Sequence, residues 1–188
     1  MPWNLPNALT WTRIAAIPLI ILLFYMPYWW ADPAAGLLFG AAGITDSLDG
    51  YFARRLGQIS RLGAFLDPVA DKLIVAVALV LLVSKDPRAL IVLTAVVIIG
   101  REITISALRE WMAEIGVRGR IKVSVWGKYK TIMQIVGLSF LLYRQNLFGL
   151  PIYTMGLALT GIAVVLTLWS MFLYLKLAWP ELRGSAAL

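Results

Sequence analysis

The sequence predicts an all-α integral membrane protein: a bundle of six transmembrane helices that forms one domain over residues 1–188. The prediction rests on composition, on the lengths of the apolar runs and on the distribution of basic residues. Of the 188 residues, 61% are hydrophobic and 14% are charged, whereas a soluble domain carries roughly 45–50% and about 25%. The mean hydropathy is +0.82. This excess of apolar surface predicts contact with lipid.

Six apolar runs approach the length of about 20 residues that a helix needs to cross a hydrocarbon layer of roughly 30 Å. They predict transmembrane helices at residues 5–28, 34–52, 67–83, 90–108, 129–143 and 152–175. No repeat, low-complexity run or linker rich in Pro, Gly and Ser divides the chain, so one domain is expected.

The basic residues predict the orientation in the membrane, because Lys and Arg concentrate in short cytoplasmic loops. Residues 54–61 hold three arginines and residues 109–130 hold six basic residues, whereas the loops on the other side hold Lys85, Arg88 and Arg144. Both termini are therefore expected in the cytoplasm. The first helix lacks the charged flank and cleavage site of a signal peptide, so it is expected to remain.

The composition also excludes several classes of chemistry. The chain has no cysteine and no histidine, which rules out disulfides, thiolate nucleophiles, imidazole bases and the usual zinc sites. Catalysis would have to use carboxylates, lysines, arginines, hydroxyls or hard metal ions. The formal net charge of +7 predicts contact with anionic membrane lipids and not with nucleic acid.

Four of the ten acidic residues lie within 26 residues, at the expected cytoplasmic ends of the second and third helices: Asp46, Asp49, Asp67 and Asp71. Four carboxylates at membrane depth could cost on the order of 10 kcal/mol. The spacings i, i+3 and i, i+4 place each pair on one helix face, so the pairs can converge. Such an all-oxygen site would hold Mg²⁺, Mn²⁺ or Ca²⁺. The alternative for Asp67 is a helix N-cap, with Pro68 at the first helical position.

Small residues follow the first aspartate pair. Gly50 and Ala53 continue the face of Asp46 and Asp49, so a flat ligand could lie against the backbone there, and Arg54 could bind a phosphate. The alternative is that these small residues serve helix packing.

Two further polar groups lie inside predicted helices. Arg101 and Glu102 lie about two turns into the fourth helix, where they could form an intramembrane ion pair. Thr10 and Arg13 lie at i, i+3 spacing on the first helix. They could border an active-site cavity, or Arg13 could extend to the membrane surface.

The aspartate region resembles the signature of the CDP-alcohol phosphotransferase family, D-x2-D-G-x2-A-R-x8-G-x3-D-x3-D. Every fixed position matches between Asp46 and Asp71. Residues 4–13, 101–112 and 127–134 further resemble the bacterial branch that uses CDP-diacylglycerol and sn-glycerol 3-phosphate. The resemblance implies transfer of a phosphatidyl group between these two substrates, with release of CMP.

The resemblance also implies roles for individual residues. The four aspartates would hold two Mg²⁺ or Mn²⁺ ions, and Asp71 would act as general base toward the acceptor hydroxyl or would orient it. A phosphorylated acceptor requires cations beside the aspartates, and Lys130 is the preferred residue, because it shares a helix face with Gln134. The other candidates are Lys128, Arg109 and Arg118. Residues expected to bind the nucleotide and its diphosphate are Gly50, Ala53, Arg54 and Gly63.

The resemblance further implies a homodimer in the bacterial inner membrane. Two alternative functions remain at the level of the sequence. The acceptor could instead be inositol phosphate, serine or phosphatidylglycerol. More distantly, buried acids in a helical bundle also occur in cation transporters, although there they are expected near the midplane of several helices. The basic residues near the fourth and fifth helices could also serve as a topology signal and contact lipid headgroups.

Overall fold

The computed structural model describes residues 5–56, 61–116 and 125–184, and this part of the chain is all-helical. The predicted helical segments are confirmed, and most of the helices extend beyond the predicted ends. The helices are α1 (Leu5–Tyr25), α2 (Ala31–Leu56), α3 (Arg61–Lys85), α4 (Ala89–Glu114), α5 (Val125–Tyr143) and α6 (Ile152–Gly184).

The start of α3 differs from the prediction. The helix begins at Arg61, six residues before Asp67, and Pro68 lies inside it. The interpretation of Asp67 as an N-cap is therefore wrong. Its side chain instead accepts a hydrogen bond from Thr10 of α1, with 2.5 Å between Thr10 Oγ1 and Asp67 Oδ1. The predicted start was late because Asp67 followed by Pro68 resembles a helix start, whereas residues 62–66 (Leu-Gly-Ala-Phe-Leu) belong to the same helix.

The helices pack as a closed ring in the order α1, α2, α5, α6, α4 and α3, and α3 also contacts α5 across the ring. The apolar core lies inside this ring and includes Phe24, Phe39 and Leu79, all almost fully buried. The contact between α2 and α5 is close enough to require glycine. A Cβ atom on Gly36 would lie 2.6 Å from the carbonyl oxygen of Ser139, which is closer than Cβ atoms approach an oxygen.

Three of the described helices are long and apolar enough to cross a membrane: α1 over Ala8–Tyr25, α4 over Ala89–Glu114 and α6 over Ile152–Trp179. The chain is therefore a helical membrane protein. The other three helices have more polar ends: α2 and α3 carry the aspartates and their neighbouring arginines, and α5 has 19 residues and begins with two lysines within its first six.

Ion pairs connect the helices at the end of the bundle where α1 ends and α2 begins. Asp32 Oδ1 lies 2.8 Å from Lys85 Nζ, and Asp32 Oδ2 lies 4.0 Å from Arg144 Nε. In the loop between α3 and α4, Arg88 pairs with Asp86 at 2.6 Å between Nη2 and Oδ2. Hydrogen bonds from Arg88 and Tyr153 hold the pKa of Asp86 well below its usual range. These contacts link the start of α2 with the end of α3 and with Arg144 after α5, and the loop between α3 and α4 with the start of α6.

Candidate active site

The second aspartate pair lies at the opposite end of the bundle, where α1 contacts α3. Asp67 and Asp71 are one turn apart on α3, and the Asp71 side chain is 40% exposed. Thr10 donates its hydrogen bond to Asp67, and Nη1 of Arg13 pairs with Oδ1 of Asp71. The Arg13 side chain is 1% exposed, so it does not extend to the membrane surface. Of the two interpretations of Arg13, the one that places it beside the site is confirmed.

The first aspartate pair lies on α2, whose backbone is helical through Leu56. This backbone places Asp46, Asp49, Gly50 and Ala53 at helical positions i, i+3, i+4 and i+7, on one face. The side chains of residues 46–56 lie outside the described residues, so the convergence of the two aspartate pairs and the role of Arg54 stay predictions. Gly63, on the first turn of α3, is buried.

A cavity of about 280 Å³ opens beside Asp71, and all six helices contribute to its lining. Among the described residues, its lining is rich in cationic side chains and has fewer carboxylates. The cations are Arg13, Lys72, Arg101, Arg109 and Lys130; the carboxylates are Asp71 and Glu102. Because five cations face two carboxylates, the cavity suits an anion of high charge such as a phosphate.

Lys130 and Gln134 both line this cavity and are both buried, as the shared helix face predicts. Lys130 Nζ lies 3.5 Å from Glu102 Oε1, and Arg101 Nη1 lies 2.7 Å from the same oxygen. The predicted ion pair between Arg101 and Glu102 is therefore confirmed. Lys130, which is buried, and Arg101, which is mostly buried, share one carboxylate here, which leaves positive charge that an anionic ligand could offset.

Arg109 also lines the cavity, from a more exposed position. Its Nη2 donates a hydrogen bond to Tyr174 Oη at 3.1 Å, and its guanidinium lies 5.4 Å from the centroid of the Tyr174 ring. Arg118 and the side chain of Lys128 lie outside the described residues. Sequence reasoning missed Ser170 and Tyr174 of α6, because the last apolar run gave no reason to expect a site. Their i, i+4 spacing near one end of the helix was the available signal.

An apolar groove of about 530 Å³ lies between α3 and α4, beside the polar cavity. The groove and the cavity share Lys72, Val75 and Glu102. Toward the middle of the bundle, valine, leucine, isoleucine and alanine form most of the groove's lining. A polar compartment and an apolar compartment therefore adjoin, an arrangement that suits an amphipathic ligand.

The donor set matches a hard divalent cation. Asp67 and Asp71 offer carboxylate oxygens one turn apart, and the α2 backbone places two further aspartates on a single face. Oxygen ligands of this kind suit Mg²⁺ or Mn²⁺. Within the residues whose side chains are described, acidic residues do not form a cluster of three or more, and half of the predicted ligands lie outside that set.

These features define a helical membrane protein with an aspartate-bearing site at one end of the bundle. The model of the CDP-alcohol phosphatidyltransferase family matches residues 3–170, and the chain belongs to this family. The resemblance inferred from the aspartate signature is thereby confirmed.

Bacterial relatives match nearly the whole chain. A protein of Pseudomonas fluorescens is 52% identical over 181 residues, covering 96% of this chain and 92% of the relative. Proteins of Shigella flexneri serotype 5b (strain 8401) and Escherichia coli (strain K12) are each 48% identical over 182 residues, covering 97% of this chain and 98% of the relative. All three are named CDP-diacylglycerol--glycerol-3-phosphate 3-phosphatidyltransferase.

Proposed function

We propose that this chain transfers the phosphatidyl group of CDP-diacylglycerol to the hydroxyl of sn-glycerol 3-phosphate, giving phosphatidylglycerol phosphate and CMP. The observation that carries the proposal is the presence of Asp71 and Lys130 in one cavity. A carboxylate that can orient a hydroxyl and a buried cation that can bind a phosphate are the two groups that this acceptor requires. The names of relatives at about half identity support both substrates.

In the proposed reaction, the acceptor hydroxyl oxygen attacks the phosphorus atom attached to diacylglycerol. The bond from this phosphorus to the bridging oxygen of the diphosphate breaks, and CMP leaves with that oxygen. Asp71 orients the hydroxyl and accepts its proton, and the ion pair with Arg13 fixes the carboxylate. Lys130 holds the phosphate of the acceptor, close to the cavity wall formed by Gln134.

Asp46, Asp49, Asp67 and Asp71 would hold two Mg²⁺ or Mn²⁺ ions. When bound, such ions supply charge neutralisation for the diphosphate and the departing CMP. The support is the oxygen-only donor set and the lack of cysteine and histidine in the chain. Gly50, Ala53, Arg54 and Gly63 would bind the nucleotide and its diphosphate, with the small residues allowing close approach to the α2 backbone.

The charge of the cavity favours this function over the alternatives. The described lining residues include five cations and two carboxylates, which suit a phosphorylated acceptor better than serine, which carries no phosphate. The signature aspartates lie toward one end of α2 and α3, whereas a cation transporter would be expected to carry acids near the midplane of several helices. The names of the relatives favour glycerol 3-phosphate over inositol phosphate or phosphatidylglycerol.

In the membrane, all six helices would span the bilayer, with both termini and the site on the cytoplasmic side of a bacterial inner membrane. The support is the excess of Lys and Arg at the end where Asp71 lies, because these residues concentrate in cytoplasmic loops. Anionic lipids would contact the basic residues at this end, and the family resemblance supports a homodimer.

A panel of acceptors tests the function. Purified protein is incubated with CDP-diacylglycerol, Mg²⁺ and one acceptor in each reaction. The acceptors are glycerol 3-phosphate, inositol 1-phosphate, serine and phosphatidylglycerol, and both CMP and the lipid product are measured. Glycerol 3-phosphate should be the sole good acceptor, EDTA should stop the reaction, and Mg²⁺ or Mn²⁺ should restore it. Faster product formation with another acceptor would refute the assignment of glycerol 3-phosphate.

A second prediction concerns the nucleotide. Ala53→Leu should raise the apparent KM for CDP-diacylglycerol about tenfold or more, because the larger side chain occupies space that the cytidine diphosphate needs. Ala41→Leu is the matched control, since Ala41 lies on the same helix and is exposed. If Ala53 serves packing alone, its variant will show a lower melting temperature with an unchanged KM in the folded protein.

A further inference from the structure

Arg13 is a buried guanidinium whose described partner lies on another helix. Its side chain is 1% exposed, and Nη1 pairs with Oδ1 of Asp71 across the contact between α1 and α3. A buried arginine is costly unless a carboxylate compensates its charge. One turn earlier, the equally buried Thr10 donates to Asp67. The same face of α1 thus contacts both aspartates of α3.

The two contacts are in register along the two helices. Thr10 and Arg13 are separated by three residues on α1, and Asp67 and Asp71 by four on α3, so each contact is about one turn from the next. Both carboxylates are therefore held by groups outside their own helix. A reactive site loses activity when its groups shift by as little as 1 Å, so contacts that fix the two carboxylates affect the reaction directly.

The charge of Arg13 has a second effect. The aspartate signature brings up to four negative charges to this end of the bundle, and the Arg13 guanidinium offsets one of them by direct contact with Asp71. A divalent ion held by these carboxylates would be repelled by Arg13, because the ion and the guanidinium would both lie close to the Asp71 carboxylate and carry charges of the same sign. Arg13 would therefore weaken ion binding while it fixes the geometry.

We propose that Arg13 is a positioning residue: it holds the Asp71 carboxylate in the orientation that transfer requires, and it lowers the affinity of the site for divalent cations. The second half rests on the metal binding included in the proposed function. Its consequence is unusual for an active-site residue, because the loss of Arg13 should slow turnover and tighten metal binding at the same time.

The test compares Arg13→Gln with wild type in two measurements. Binding of Mn²⁺ to purified protein without substrates is measured by electron paramagnetic resonance of the unbound ion, and kcat and KM are measured separately. The dissociation constant for Mn²⁺ should fall on the order of tenfold, because one repelling charge is lost. The kcat should fall on the order of 100-fold, because the carboxylate is no longer fixed.

Two controls separate charge, geometry and folding. Arg13→Lys keeps the charge but loses the planar fork of donors, so its Mn²⁺ affinity should stay near wild type while kcat falls about tenfold. Arg88→Gln makes the same change of charge at the opposite end of the bundle, where Arg88 pairs with Asp86, and it should change neither quantity. If Arg13→Gln does not fold, a wild-type kcat in Arg13→Lys overturns the positioning role and a reduced one supports it.

The remaining outcomes separate this inference from the proposed function. If wild type is active and Arg13→Gln binds Mn²⁺ with unchanged or weaker affinity, the inference is overturned and the proposed function still stands. A wild-type protein that binds no Mn²⁺ also overturns the inference. The third outcome combines two results: Arg13→Gln binds Mn²⁺ more tightly than wild type, and wild type transfers nothing to glycerol 3-phosphate. This outcome supports the charge role of Arg13 and overturns the proposed function.

Discussion

Asp67→Asn should reduce turnover on the order of 100- to 1,000-fold or more while the protein still folds and inserts. The substitution keeps the size and one carbonyl oxygen of the side chain, so Thr10 can still donate its hydrogen bond to the Oδ1 position. Folding should be little affected, because this contact between α1 and α3 is retained. What is lost is one negative charge from the group that would stabilise the diphosphate through bound ions. The same result is expected for Asp49→Asn.

The measurement is the rate of CMP release at saturating substrates, together with a melting curve for each variant in detergent. Asp86→Asn is a suitable control, because it makes the same chemical change at the opposite end of the bundle. Asp86 is held ionised by Arg88 and Tyr153, so its variant should lose some stability near neutral pH but keep its turnover. Near-normal activity in either Asp67→Asn or Asp49→Asn would remove the two-metal proposal.

Lys130→Ala should lose about 10- to 150-fold in kcat/KM for glycerol 3-phosphate, which corresponds to a charge-assisted contact of about 1.5–3 kcal/mol. The apparent KM for CDP-diacylglycerol should change little. The structure supports a local effect, because Arg101 remains 2.7 Å from Glu102 when Lys130 is removed. The carboxylate that Lys130 contacts therefore keeps a partner.

Lys176→Ala provides the comparison for Lys130→Ala, since Lys176 lies on exposed surface near the same end of the bundle and is absent from the lining described for the cavity. It should leave both KM values unchanged. If Lys130→Ala raises the two KM values equally, or raises neither, this lysine belongs to the topology signal. The phosphate of the acceptor would then be expected nearer Arg109 and Arg118.

The apolar runs predicted where the helices lie, because burial in lipid requires uninterrupted apolar sequence. They did not predict where the helices end. The pair Asp67–Pro68 resembles a helix start, so the true beginning of α3 at Arg61 was missed. Such errors are expected wherever charged residues and a proline lie inside a helix close to its end, since they imitate a helix boundary while the backbone hydrogen bonding continues.

The chemistry of the site was predictable only for features that lie within one helix. Spacing along one helix is encoded locally, so the shared face of Lys130 and Gln134 could be inferred and is confirmed. Contacts between helices are not encoded locally. Thr10 and Arg13 are separated by more than 50 residues from their aspartate partners, and the sequence left two positions for the Arg13 side chain. Its burial between α1 and α3, a property of the packed bundle, decided between them.

We expect the ion pairs at the other end of the bundle to affect how substrates reach the site. Asp32 connects the start of α2 to Lys85 at the end of α3 and to Arg144 after α5, so the helices are held together there. We expect opening motions to be small tilts that pivot at this end. Over about 30 Å, the length of a 20-residue helix, a tilt of about 5° moves an atom by about 2.5 Å. The pivot would thus lie at the ion-paired end, away from the site. The displacement of the helices would be largest at the end that carries Asp71, where a bulky nucleotide must enter and CMP must leave.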